Sequence, residues 1–249
     1  GGDVRFGKQF TEYLTGNFTY RYDILRISNV NEDATIDLKK EAGKNIISST
    51  EYALTFDSRD NVFDTTKGNL VTGAAQWAGG PFAGDKDYWK LMGRASHYIP
   101  LLRNSCLELR GRIGVAKPYG DSDSVPIYER FFAGGAYTIR GYEERKIGPI
   151  DPSSKDPLGG EAMVIGNVEY TYPLFSFLKV AAFYDVGNVW AKMKDLGDGG
   201  YKSGVGLGVR IKTPIGPVML DYGYPLNTEP GEEKKSRTGR LHFSMSQGF

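Results

Sequence analysis

A single cysteine, Cys106, in 249 residues excludes an internal disulfide framework and any zinc site built on paired cysteines. Two histidines, His97 and His242, are too few for a His-rich metal centre, so no metal and no cofactor is expected. Charge of one sign is not in excess: 31 Lys+Arg against 30 Asp+Glu leave a formal +1, which excludes a nucleic-acid partner that demands a basic surplus. No run of about 18 apolar residues is present to form a membrane-spanning helix. The chain opens Gly1-Gly2-Asp3 without a signal peptide, so an exported protein is expected to be a mature product or a cut piece.

What is present is alternation. Val205, Leu207, Val209 and Ile211 interleave with Gly204, Gly206, Gly208, Arg210 and Lys212. Leu178, Val180, Ala182, Tyr184 and Val186 interleave with Lys179, Ala181, Phe183, Asp185 and Gly187, and Val218, Leu220, Tyr222 and Tyr224 with Met219, Asp221 and Gly223. Period two gives strands with one apolar and one polar face. Strands are expected over 2–10, 16–29, 45–59, 69–79, 87–100, 105–117, 161–173, 178–190, 201–213, 217–225 and 237–249. Most run to roughly 10–14 residues, against about 5–6 in soluble sheets, and a tilted strand needs about 9–11 to cross a bilayer.

The connections alternate between short and long. Thr11–Leu14, Leu101–Asn104, Leu174–Phe177 and Pro214–Gly216 are tight, whereas 30–44, 118–160, 191–200 and 226–236 are long. Membrane barrels sort their loops this way, with short periplasmic turns and long outer loops. The fold expected is therefore all-β, one antiparallel transmembrane β-barrel domain over 1–249 with lipid as its surroundings. Eleven strands are odd where complete bacterial barrels are even, which points to an amino-terminal truncation or one strand miscounted; truncation is the expectation. Aromatics at strand ends, such as Trp77, Tyr98, Tyr170, Trp190 and Tyr222, suit the membrane–water interface.

The 118–160 loop is too long to be filler. It carries Gly134-Gly135-Ala136-Tyr137-Thr138-Ile139-Arg140-Gly141-Tyr142, which resembles the loop-tip signature of the BamA-like outer-membrane assembly (insertase) family. Three further stretches resemble the same family in the same order: Leu54 to Asp60 followed by Lys67-Gly68, Gly166 to Tyr170, and Phe183 to Trp190. The resemblance covers the whole chain and implies the carboxy-terminal part of a 16-strand barrel, with periplasmic domains absent from this stretch. It also implies a multi-pass protein of the bacterial outer membrane, with loop 118–160 folded into the lumen. The implied partners are unfolded β-barrel client proteins and accessory assembly lipoproteins.

The residues themselves point to a contact inside the lumen. Arg140 is a permanent five-donor cation suited to a carboxylate fork, and Glu169 and Asp185 both fall on the polar, inward set of neighbouring strands. Arg140 is expected to pair with Glu169, Asp185 or both; the alternative is an exposed loop arginine. A catalytic carboxylate pair is disfavoured because no substrate cleft or second constellation accompanies it, so no catalytic residue and no enzyme activity are expected. Gly204, Gly206 and Gly208 lie on one face of a continuing strand rather than at a strand-to-helix turn, so they are expected to make room for the inserted loop or to allow curvature, not to bind a nucleotide. His97 and His242 read as structural, and Cys106 as an inert lumen or rim residue. The last strand, with Leu241, Phe243, Met245 and the terminal Phe249, resembles the targeting signal of outer-membrane barrels and forms one lip of the client seam that the resemblance implies. The other readings are a secretion pore of the same superfamily, a diffusion porin, and a soluble β-sandwich.

Overall fold

The computed structural model describes residues 1–30, 35–214, 216–227 and 238–245. Eleven antiparallel strands form one sheet in simple sequence order: β1 (Gly2–Gln9), β2 (Leu14–Ile27), β3 (Gly43–Asp57), β4 (Gly68–Ala78), β5 (Tyr88–Pro100), β6 (Cys106–Pro118), β7 (Ala162–Phe175), β8 (Leu178–Trp190), β9 (Lys202–Thr213), β10 (Gly216–Pro225) and β11 (Arg240–Met245). Each strand pairs with its sequence neighbours, and β1 and β11 do not pair with each other among the described residues. The expected boundaries hold to within two residues for β1–β10. The expected last strand is described only over 240–245, and Phe249 lies outside the described residues.

The outer face carries the grease. Leu207 is 69% exposed; Phe18, Tyr52, Leu54, Leu109, Val168, Leu220, Tyr222 and Phe243 are exposed as well. The inner face carries polar side chains that are nevertheless buried, including Asn167, Glu169, Asp185, Arg210 and Asp221. An inside-out pattern of this kind is stable only where the outside solvent is lipid. No described helix is long and apolar enough to cross a membrane; the crossing is made by strands.

Two of the expected interface aromatics are placed otherwise. Trp190 is buried, its ring edge-on to Tyr201 at 5.6 Å and its indole N–H donating to the Asp198 carbonyl, because the 191–201 connection folds over it. Tyr98 shares the inward side of β5 with Ser96, opposite Glu108 of β6, since its position in the alternation is even where the lipid-facing residues are odd.

Turns at one end are tight. The β5–β6 connection closes with Leu101 N–H donating to the Ser105 carbonyl at 2.8 Å, and Arg103 and Asn104 take left-handed backbone. At the other end, a short helix absent from the sequence expectations, α1 (Ile36–Lys40), sits in the β2–β3 loop. Thr35 caps it by accepting from Leu38 N–H at 3.2 Å, with Asp37 in the first turn and Lys39 and Lys40 in the last, which complements the helix dipole.

The long β6–β7 loop, 119–161, turns back into the space enclosed by the sheet. Its Val125, Phe131, Ala133, Ile139 and Ile147 form an apolar core with Ile47, Tyr88, Ala116, Ile165 and Val189 of the wall. At the tight-turn end, connection 58–67 reaches across the lumen, where Asp64 pairs with Lys179 on β8. This connection closes the floor.

Candidate functional site

Loop 119–161 delivers Arg140 to the inner wall, where it is only 6% exposed. Its Nε and Nη2 donate to the two oxygens of Asp185 on β8, at 2.7 and 2.9 Å. Its Nη1 donates to Glu169 Oε2 on β7 at 2.7 Å and reaches Asp221 Oδ2 on β10 at 3.2 Å. The backbone N–H of Arg140 adds a third bond to Asp185, at 3.0 Å, and the guanidinium lies 3.4 Å from the centre of the Phe183 ring. A planar fork met by a carboxylate edge-on and an aromatic ring face-on is held in both position and rotation.

Arg210 on β9 extends the network. It grips both oxygens of Glu169, at 2.9 and 2.8 Å, and Asp221 Oδ1 at 2.6 Å. Two arginines, 140 and 210, against three carboxylates, 169, 185 and 221, leave a formal −1. Asn167 donates to Asp185 at 2.8 Å and to the Thr138 carbonyl at 2.7 Å, tying loop and wall together. Because each buried charge meets an opposite one, the network avoids the large cost of an isolated ion.

The rest of the motif is placed as closely. Ile139 is fully buried in the apolar core. Gly141 has φ +94°, a conformation costly for other residues, and a side chain there would meet Tyr224 and Pro225 backbone atoms at 2.9 Å. Gly204 and Gly223 leave room for the Arg140–Gly141 backbone, whereas Gly206 and Gly208, also expected to admit the loop, instead make room for the Phe183 ring and for the Asp221 and Arg210 side chains of the wall. The Tyr142 hydroxyl lies within hydrogen-bond reach of two carbonyls, Ser203 at 3.0 Å and Asn227 at 2.6 Å, and donates its single proton to one of them at a time.

The loop also touches β11. Gly141 N–H donates to His242 Nε2 at 2.9 Å, the Tyr137 hydroxyl to the Met245 carbonyl at 3.3 Å, and Arg240 pairs with Glu143 at 2.7 Å. Leu241, Phe243 and Met245 point the other way, into the exposed apolar face. Cys106 is buried, its thiol 3.4 Å from the Thr66 carbonyl of the floor turn. His97 faces outward, bonded to Asn69 at 2.6 Å.

Sequence reasoning singled out Glu169 and Asp185 but missed Asp221, Arg210, Asn167 and His242 as members of the site. A signal existed: Asp221 and Arg210 occupy inward positions of their strands by the same alternation. Which of several inward residues stand at the depth of Arg140 is set by strand register, and that pattern does not give it. Among the described residues no group of His, Cys, Asp or Glu is arranged to hold a metal ion; the clustered acids are occupied by arginines.

Residues 1–249 match the family described as the Omp85 superfamily domain. The chain is 34% identical over 252 residues to the outer membrane protein assembly factor BamA of Nitratidesulfovibrio vulgaris, covering 100% of this chain and 32% of that protein. It is 28% identical over 230 residues to a SAM50-like protein of Schizosaccharomyces pombe, covering 86% and 47%. The crystal structure of BamA from Haemophilus ducreyi lacking POTRA domains 1-3 superposes with a TM-score of 0.75 at 19% identity, over 98% of this chain and 52% of that one. CdiB from Acinetobacter baumannii gives 0.56 at 13%, over 97% and 40%. At those identities the two structures speak for the fold alone. The chain thus spans about a third to a half of the length of these relatives.

Proposed function

The chain belongs to the Omp85 superfamily, and from there we propose that it is the barrel of an outer-membrane insertase, which assists other β-barrel proteins in folding into that membrane. The observation that carries the proposal is the plugged lumen: loop 119–161 fills one half of it and is clasped by Arg140. A diffusion pore needs that space open. Identity of 34% to an outer membrane protein assembly factor, over the whole of this chain and 32% of that protein, supports the same reading.

In this proposal no bond is made or broken. Ile139, Arg140, Gly141 and Tyr142 fix the plug, and Glu169 and Asp185 anchor it. The strand that carries Leu241, Phe243 and Met245, with Phe249 beyond the described residues, is one lip of a seam. There an unpaired strand edge offers backbone donors and acceptors to an incoming client strand. Unfolded β-barrel proteins are the clients, lipid is the medium, and assembly lipoproteins are the accessory partners.

A secretion pore of the same superfamily is the second reading, supported by the likeness to CdiB, which is weaker than that to BamA. Reconstitution separates the two. Liposomes that hold the full-length protein are expected to speed the folding of several unrelated barrel clients, followed by protease protection. Export of one partner without any such acceleration would favour the secretion pore, and a large steady single-channel conductance would sink both in favour of a porin.

A further inference from the structure

Cations facing the lumen come with acids. Arg21 pairs with Asp23 and Glu129, both at 3.3 Å, Lys90 with Glu129 at 3.4 Å, and Arg110 with Glu108 at 2.8 Å. Arg210 pairs with Glu169 and Asp221. Arg94 and Arg112 break this rule. They stand directly opposite each other on β5 and β6, and among the described residues no carboxylate lies within 4.0 Å of either guanidinium. The Nε of Arg112 is buried without a hydrogen-bond partner. Acids of the same wall are committed elsewhere, Glu108 to Arg110 and Asp185 to Arg140.

Like charges set opposite each other in a sheet are destabilising, and an unsatisfied buried donor costs more when it is charged. The same chain neutralises its other inward arginines with care, so an unneutralised pair calls for an anion from outside. Both side chains open on a cavity of about 450 Å³, many times the roughly 30 Å³ share of one water molecule. Two guanidiniums carry two positive charges and ten N–H donors. A phosphate group near pH 7 carries about −1.5 to −2 and offsets the pair, where one carboxylate offsets half of it.

We propose that Arg94 and Arg112 form a phosphate-binding subsite in the lumen wall, with the two guanidinium forks closing on one phosphate group. The group comes either free, as inorganic phosphate, or on the headgroup of a lipid.

The test uses the full-length protein, free of lipid in a non-ionic detergent, with heat unfolding followed by circular dichroism. Inorganic phosphate, compared with chloride at equal ionic strength, is expected to raise the midpoint by about 2–5 °C at a hundredfold excess over its dissociation constant. Short-chain phosphatidic acid forms the second arm; protection by it alone assigns the site to a headgroup. The Arg94→Gln/Arg112→Gln double variant is expected to lose the protection, and Arg112→Lys, which keeps the charge but not the fork, to retain only part of it. In phosphate-free buffer each single Gln variant is expected to unfold no lower than the parent, because repulsion is relieved. Equal protection of parent and double variant, or none beyond chloride in either arm, overturns the proposal. So does a fall in midpoint of the single variants in phosphate-free buffer, which would mean that an acid of the protein itself already partners the pair.

Discussion

The two halves of the lumen differ, although the same strands build both. On the inward face of β6, Ala116 and Gly114 lie toward the loop end, and Arg112, Arg110 and Glu108 toward the turn end. On β7 the order is Ile165, then Asn167 and Glu169; on β8 it is Val189, Gly187, then Asp185. On these three strands the upper half is apolar and packed by loop 119–161, with Lys90 of β5 answered there by the loop's own Glu129, while the lower half is charged around a cavity and floored by turn 58–67. Facing inward therefore does not decide polarity. What covers the position does: an apolar stretch of packed loop demands apolar partners, and a loop charge, water or an ion demands charge.

The sharpest way to break this contrast is to cut the boundary between the halves. Arg140→Ala strips Asp185 of its arginine and leaves Glu169 to Arg210 alone, and is expected to cost about 3–5 kcal/mol, as when one member of a buried ion network is removed. The readout is the heat-unfolding midpoint, together with protease nicking of loop 119–161. A double-mutant cycle with Asp185→Asn should give a coupling of roughly 0.5–3 kcal/mol; additive effects would show that the pair does not act as a unit. Next in size, Ile139→Ala opens a void in the dry half and is expected to cost about 2–4 kcal/mol, leaving the ion network intact.

Two smaller tests probe the floor. Asp64 ties the turn to Lys179, with Lys212 at 3.7 Å. Asp64→Ala is expected to cost about 0–1 kcal/mol, as partly exposed pairs do, yet to raise the rate at which a maleimide labels Cys106, now shielded beneath Thr66. High salt should mimic the substitution. The last test is pH. Slight desolvation opposes ionisation of Asp60, but hydrogen bonds from Thr66, Lys67 and Asn61 hold its carboxyl down at about 2, below the ordinary 3.8. A depressed folded value means that the stabilisation is present above about pH 4 and is lost as pH falls through 2. Pepsin cleavage within 58–67 should rise over that window and stay flat in Asp60→Asn.

Much of this was legible in the sequence, for a physical reason. Alternation such as Val205–Ile211 reports which solvent each face meets, and lipid outside makes the pattern long and regular. Glu169, Asp185 and the loop arginine were legible because a charge on a lumen face needs a counter-charge. Arg210, Asp221 and His242 were not, because their depth depends on strand stagger summed across β8 to β11. Trp190 misled, since a ring at a strand end suits the membrane interface and the underside of a folded loop equally well.

The contacts of loop 119–161 with the last described strand carry one more consequence. Tyr137, Gly141 and Glu143 hold the inner side of β11 at three points along its length, while β10 holds its edge. Plug and wall share a hinge pin. Unzipping that strand must either strip the plug's grip or drag the plug with it, so the state of the lumen and the state of the wall are mechanically one variable.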